Sequence, residues 1–158
     1  ARMILFHGTN TDFSSIDLKK SFPFKDFGQG FYLTTIQQQA ERMAQRKSLT
    51  FGGQLTVMKF DFDEAVLKTG DLNILQFEST TTEWAEFIFK NRNRALHFHH
   101  NYDIVIGPVA DDGVAYLIDR YQEGSLTSKE FAQMLKYRKL NNQYCFCTQK
   151  AISYLKRI

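Results

Sequence analysis

Two short stretches near the start of the sequence decide the fold. They are Phe6-His7-Gly8-Thr9 and, further along, Asp26-Phe27-Gly28-Gln29-Gly30-Phe31-Tyr32-Leu33-Thr34. Each is predicted to form a strand with a polar side chain beside glycines, and glycine is used where a backbone must come close to a ligand. We expect the two strands to be neighbours, so that His7, Tyr32 and the amides between them can hold a flat, hydrogen-bonding group.

The composition predicts one folded domain covering residues 1–158. Hydrophobic residues make up 43% of the chain and aromatic residues 15%, which is enough to form a substantial core. Ala1 and Arg2 precede Met3 and are interpreted as a cloning remnant. No apolar run is long enough to span a bilayer and no signal-peptide core is found, so no membrane partner is predicted. The two cysteines do not demand an oxidising compartment, so a cytoplasmic location is predicted. The net charge of +3 is too small to argue for a nucleic-acid partner.

The pattern of apolar residues indicates an α+β fold, because strands and helices do not alternate regularly. Strands are predicted at 3–7, 30–34, 55–62, 103–106 and 143–147. Helices are predicted at 37–47, at 82–94, from Val114 to Tyr121, after a capping box at 127–130, and after Thr148 to near the C-terminus.

The cysteines and histidines give weaker signals. Cys145 and Cys147 would share one face of a strand, too close in sequence for an ordinary disulfide, and they are interpreted as small core residues. His97 and His99 could share a strand face, but no carboxylate or thiol cluster accompanies them, so no metal site is predicted. The segment 92–100 is interpreted as a solvated helix end, with a docking patch for nucleic acid or an acidic protein as the alternative.

The two opening motifs together resemble the NAD-binding half of the ADP-ribosyltransferase superfamily. The poly(ADP-ribose) polymerase branch reads His-Gly-Ser/Thr and then Phe-Gly-Lys-Gly-Ile-Tyr-Phe. Taken alone, His7 would be interpreted as a structural residue and Tyr32 as a core residue; the two motifs in the family's order favour the resemblance. It implies a split β-sheet core with surrounding helices, and NAD as co-substrate.

The resemblance also implies roles for individual residues. The backbone of Gly8 would bind the nicotinamide amide, His7 would bind a ribose hydroxyl, and Tyr32 would stack on the nicotinamide ring. Thr9 and Gly30 would contribute from the same two motifs. The predicted catalytic residues are His7, Tyr32 and Gln143.

Two departures from the branch are visible. Its second stacking tyrosine is absent, so Met43 would line the pocket, and its late glutamate is replaced by Gln143 in Asn141-Asn142-Gln143-Tyr144. An amide can bind a ribose hydroxyl but cannot stabilise a cationic ribose as a carboxylate does. Single-unit transfer, slow NAD hydrolysis and NAD binding without catalysis all stay open. Asp111 or Asp112 could supply a compensating acid, although capping of the next helix is the favoured interpretation.

A narrower resemblance covers almost the whole chain. The sequence is similar to a bacterial family of previously uncharacterised domains related to ADP-ribosyltransferases, which carry His-Gly-Thr, an Asp-Phe-Gly-Lys-Gly-Phe-Tyr-Leu-Thr segment and a glutamine-bearing late strand. That resemblance implies a mono-ADP-ribosyltransferase acting as a toxin in a toxin–antitoxin or phage-defence system. The acceptor would be a protein or a nucleic acid, and an antitoxin protein would be a partner. The alternative is a catalytically weak or inactive module that binds NAD or ADP-ribose.

Overall fold

The protein has a mixed α+β fold, as the sequence predicts, and its strands form two β-sheets. The computed structural model describes residues 1–136, 138 and 140–158. The strands of this part are β1 Arg2–Thr9, β2 Phe31–Leu33, β3 Thr56–Asp63, β4 Ile74–Gln76, β5 Ile104–Pro108, β6 Asn142–Phe146 and β7 Lys156–Arg157. The α-helices are α1 Gln37–Phe51, α2 Thr82–Arg92, α3 Asp112–Gln122, α4 Ser128–Lys136 and α5 Gln149–Ile152.

The two sheets differ in size and meet at one edge. The first has the order β1-β3-β7 and is antiparallel. The second has the order β2-β6-β5-β4, with β4 and β5 parallel and the other pairs antiparallel. The sheets are joined through a bridge in which Phe6 N–H donates to the Thr34 carbonyl at 2.7 Å and Thr34 N–H donates to the Phe6 carbonyl at 2.9 Å.

A hydrophobic core lies between the two sheets. Strand alternation places every second residue of β1 and β3 on the face that meets the second sheet. Phenylalanines dominate the contact, and Phe62 packs edge-on against Phe146 with ring centroids 5.3 Å apart. The buried members of this cluster are Leu5, Phe31, Leu33, Met58, Phe60, Phe62, Leu72, Ile104, Ile106, Phe146 and Ala151.

The other face of the second sheet is covered by helices. Trp84 of α2 is fully buried there, and its indole N–H donates to the Pro108 carbonyl at 2.9 Å. The buried members of this second cluster are Phe27, Tyr32, Trp84, Ala85, Ile88, Val105, Val114, Ile118, Phe131, Leu135 and Cys145. Adjacent residues of β2 therefore belong to different cores.

Helix α1 packs against β1 through small residues. Ala40 and Ala44 are fully buried, and a Cβ atom added to Gly8 would lie 1.9 Å from the Ala40 carbonyl oxygen. The close approach of helix and strand therefore depends on the absence of a side chain at Gly8.

The strand and helix predictions largely agree with the structure, with differences at the edges. The short edge strands β4 and β7 are not predicted, and α5 ends at Ile152 instead of near the C-terminus. The predicted capping box is confirmed: Thr127 N–H donates to Glu130 Oε1 at 3.0 Å, and Glu130 N–H donates to Thr127 Oγ1 at 3.1 Å. In the described part of the chain, every helix is too short or too polar to cross a membrane.

Candidate functional site

A cavity of about 210 Å³ opens between β1, β2, α1 and the start of β6. It lies beside the bridge that joins the two sheets, because both bridging residues contribute to its wall. Its walls are formed by Phe6, Gly8, Tyr32, Leu33, Thr34, Gln39, Arg42, Met43, Arg46, Val109 and Gln143. Four of the residues predicted from the sequence, Gly8, Tyr32, Met43 and Gln143, are therefore brought together here.

Gly8 presents its main chain to this cavity. In an antiparallel pair, successive residues direct their N–H and C=O groups to opposite edges of the strand. Phe6 uses both groups on the edge that faces Thr34, so Gly8, two residues on, directs its N–H and C=O to the same edge. The Gly8 N–H and C=O therefore lie on one strand edge, where they match the acceptor and the donor of a primary amide.

Gln143 lines the same cavity, and its side-chain amide has an unsatisfied donor. Among the buried side-chain nitrogen and oxygen atoms of the described residues, its Nε2 is the one without a hydrogen-bond partner. A buried amide N–H₂ left unpaired costs about 1–3 kcal/mol. A ligand that brings a carbonyl or hydroxyl oxygen into the cavity would remove that cost.

Tyr32 is fixed at its hydroxyl. The Tyr32 O–H donates to the Gly28 carbonyl at 2.6 Å and accepts a hydrogen bond from Phe27 N–H at 2.9 Å. Burial raises the pKa of the Tyr32 phenol well above its ordinary value, so the ring stays neutral. Lys25 Nζ lies 4.9 Å from the ring centroid, and Tyr32, which is also packed in the second core, contributes to the cavity wall.

His7 lies on the other side of β1. Its ring stacks on Phe31 with a centroid distance of 4.1 Å and belongs to the surroundings of the core between the sheets. Its Nδ1 is 2.7 Å from the Tyr32 carbonyl oxygen; because a carbonyl can only accept, Nδ1 carries the proton and Nε2 keeps a lone pair. The side chain therefore joins the two sheets, and His7 and Tyr32 meet through the Tyr32 main chain instead of facing one another as two rings.

The remaining sequence candidates lie outside the cavity wall. Thr9 is buried in β1, and a Cβ atom on Gly30 would meet Cys145 Sγ, so Gly30 serves the packing of β6. Asp111 caps α3, since its carboxylate accepts from Val114 N–H at 2.8 Å, and Asp112 is exposed in the first turn. The capping interpretation of Asp111 is confirmed.

Two arginines of the site are absent from the sequence candidates. Arg42 and Arg46 are one helical turn apart on α1, and both line the cavity. Their spacing beside Met43 is a signal that could have identified them, because residues at i and i+4 share a helix face. Neither aspartate nor glutamate is among the described residues of the wall, so the electrostatic character of the site favours an anionic ligand.

Acid should destabilise the protein through His7. The pKa of His7 is lowered to about 3, chiefly by burial; the hydrogen bond to the Tyr32 carbonyl raises it, and the charges of Lys47 and Lys25 add to the lowering. The unfolded chain binds this proton near pH 6.5 and the folded chain does not, so the free energy of unfolding falls as the pH drops below 6.5 and levels off near pH 3. His7 alone should remove about 2 kcal/mol between about pH 7.5 and pH 5.

Urea unfolding at several pH values measures this loss. His7→Gln should lose about 2 kcal/mol less than the unchanged chain over that range, whereas His99→Gln, at an exposed position, should lose the same amount as the unchanged chain. Equal pH dependence of His7→Gln and the unchanged chain would contradict the buried neutral state of His7.

The described residues contain no cluster of three or more histidine, cysteine, aspartate or glutamate side chains arranged to hold a metal ion. No curated protein and no solved structure matches the chain. The family model described as "Protein of unknown function (DUF3990)" matches residues 3–157. Because that match covers nearly the whole chain, the protein belongs to the DUF3990 family.

Proposed function

We propose that the protein is an NAD-dependent mono-ADP-ribosyltransferase whose cavity between β1, β2 and α1 holds the nicotinamide end of NAD. The single observation that carries this proposal is the buried, unpaired Nε2 of Gln143, a residue of the cavity wall to which Gly8 also contributes. The two meeting sheets are compatible with the split-sheet core that the resemblance implies, and they support the proposal at the level of architecture.

The fit of NAD can be argued group by group. The carboxamide of nicotinamide needs one acceptor and one donor, and the Gly8 C=O and N–H supply both at one strand edge. Tyr32 lies in the cavity wall, where its ring would stack on the pyridine. A ribose hydroxyl oxygen beside Gln143 Nε2 would satisfy the buried donor.

The cavity is too small for the whole of NAD, so the part beyond the nicotinamide would lie at the rim. Sites that enclose a whole drug-sized ligand measure about 300–1,000 Å³, so about 210 Å³ takes a ring and leaves the pyrophosphate outside. Arg42 and Arg46 stand at the wall on α1, where guanidinium groups pair well with phosphate oxygens. His7 has a positioning role in this scheme, because it joins the strands that carry Gly8 and Tyr32.

The composition of the wall restricts the chemistry. Cleavage of the nicotinamide–ribose bond places positive charge on the ribose, and a nearby carboxylate usually stabilises that charge. Since the described wall has none, we propose that the acceptor macromolecule, a protein or a nucleic acid, brings its own nucleophile and completes the site. A toxin role, with an antitoxin protein as partner, is the setting proposed for this activity.

The test compares NAD binding and nicotinamide release in matched variants. Calorimetry should show NAD binding to the unchanged chain, and Gln143→Leu should weaken it about tenfold because one buried hydrogen bond is lost. Gln133→Leu, at an exposed position of α4, should bind NAD as the unchanged chain does. Absence of NAD binding by the unchanged chain would contradict the proposal.

A second candidate function is an NAD- or ADP-ribose-binding module without catalysis, and the lack of a carboxylate in the described wall favours it. Mass spectrometry of a cell lysate incubated with labelled NAD and the protein separates the two. Label on a protein or nucleic-acid fraction, together with nicotinamide release, supports the transferase. Binding with neither label nor release supports the module.

A further inference from the structure

The two cysteines form a close pair that the proposed NAD site does not use. Both are free thiols, and their Sγ atoms lie 3.3 Å apart at the end of β6. Cys145 is fully buried, whereas Cys147 is half-buried. Their interpretation from sequence as plain core residues does not account for a contact between two sulfur atoms.

Cys147 opens to a second and larger cavity. This cavity, which we call the His100 cavity, has a volume of about 420 Å³, and its wall includes Phe24, Asn91, His100, Asn101, Cys147 and Thr148. A small oxidant or alkylating reagent entering it reaches Cys147, while Cys145 lies behind Cys147 in the core with Tyr32 and Val105. The pair thus has one accessible thiol and one sheltered thiol.

His100 is held in place beside Cys147. Its Nε2 is 2.7 Å from the Phe27 carbonyl oxygen, and its Nδ1 accepts from Tyr102 N–H at 3.1 Å. Burial opposes a positive charge on the ring, yet its interactions with Cys147 and with the Phe27 carbonyl raise the pKa of His100. Both ring nitrogens are engaged, so the ring is fixed in the wall of the cavity to which Cys147 also contributes.

The groups around Cys147 favour its ionised form. The pKa of the Cys147 thiol is lowered to about 6, because the contacts with Cys145 and His100, which lower it, together outweigh burial, which raises it. The negative charge of Asp103 acts in the opposite direction and raises the pKa of Cys147. The Asp103 carboxylate accepts a hydrogen bond from Thr148 Oγ1 at 2.6 Å. Burial raises the pKa of Cys145 well above its ordinary value, so the two thiols differ in reactivity.

We propose that Cys147 is the reactive thiol of a two-cysteine oxidation site, with Cys145 as the resolving thiol and a hydroperoxide as the oxidant. The Cys147 thiolate attacks the O–O bond of hydrogen peroxide, takes one oxygen as a sulfenic acid, and releases hydroxide. The Cys145 thiol then attacks the sulfenic sulfur; the S–S bond forms, the S–O bond breaks, and the oxygen leaves as water with the Cys145 proton. Both sulfurs are oxidised by one equivalent each, and the peroxide is reduced.

The resulting bond would be easily reduced. Residues i and i+2 of a strand are about 7 Å apart, at the upper limit of the separation that a disulfide spans. Such strained disulfides have less negative reduction potentials and belong to the labile, reversible class. The site is therefore a reversible modification site and not a structural crosslink.

The experiment treats the folded protein with hydrogen peroxide and maps the peptide that contains both cysteines by mass spectrometry. In the unchanged chain, the mass of that peptide should fall by the mass of two hydrogen atoms, and dithiothreitol should restore the original mass. Cys145→Ser should instead accumulate a dimedone adduct on Cys147, whereas Cys147→Ser should give no adduct on Cys145. A dimedone adduct on Cys145, or no loss of hydrogens in the unchanged chain, would overturn the proposal.

A second measurement compares the two thiols in the unchanged chain and then tests the role of His100 with variants. Iodoacetamide at about pH 7 should alkylate Cys147 of the unchanged chain about tenfold faster than Cys145, since the thiolate is the reacting form. His100→Gln should slow the alkylation of Cys147 severalfold, and Asn101→Gln, also in the wall of the His100 cavity, should not. Equal alkylation of the two cysteines would contradict the assignment. These measurements require no NAD, so their outcome is independent of the proposed transferase activity.

Discussion

Gly8→Ala should lower the free energy of unfolding by about 3 kcal/mol or more, and the melting temperature by about 10 °C. The added Cβ would lie 1.9 Å from the Ala40 carbonyl oxygen and 2.9 Å from the Ala44 backbone nitrogen. Both contacts are with the backbone of α1, so no change of rotamer can relieve them. The helix must move away from β1, which opens the packing of Ala40 and Ala44.

Gly113→Ala is the matched control for this prediction. Gly113 lies in the first turn of α3, and an added Cβ would meet the end of the flexible Arg138 side chain at 3.1 Å. Alanine also has a helix propensity about 1 kcal/mol more favourable than glycine, so this variant should be as stable as the unchanged chain or more stable. Chemical denaturation of both variants measures the difference; a Gly8→Ala protein as stable as Gly113→Ala would contradict the close approach of α1 to β1.

Tyr32→Phe should cost about 2–4 kcal/mol of stability. The lost hydroxyl is the partner of both the Phe27 N–H and the Gly28 carbonyl. Phe27 is fully buried, so water cannot easily replace the hydroxyl at its amide. The ring itself stays, so the effect measures the two hydrogen bonds and not the packing.

Tyr116→Phe removes a hydroxyl from an exposed tyrosine that accepts from Arg120 at 3.0 Å. Its expected cost is within about 0.5 kcal/mol, as for most surface substitutions. Urea unfolding of both variants at neutral pH gives the comparison. If Tyr32→Phe proved as stable as Tyr116→Phe, the phenol would not be holding the segment from Phe27 to Gly28.

Local patterns in the sequence predict most of the architecture, and the failures have a common cause. The alternation in β3 and the capping box before α4 are local signals, and the structure confirms both. By contrast, β4 has three residues and β7 has two, too few for a periodic pattern to be visible. Such strands form because a neighbouring strand offers its free edge, which only the tertiary structure shows.

In the candidate site too, the residue types could be predicted from the sequence, whereas their surroundings are set by the tertiary structure. Gly8, Tyr32, Met43 and Gln143 line one cavity, although they lie far apart in the sequence. The orientation of His7 could not be predicted, because the face of β1 that turns toward the second sheet is decided by long-range packing. The unsatisfied amide of Gln143 is likewise a property of its surroundings, and the residue type alone does not reveal it.

Three consecutive residues of β1 each have a different structural role. In three consecutive residues, Phe6 joins the two sheets, His7 anchors the second sheet, and Gly8 admits helix α1. A substitution at any of these three residues would therefore also change the stability of the fold. Under the proposed function, substitutions of Arg42 and Arg46, which are exposed on α1 and line the cavity, would change ligand preference with the least effect on the fold.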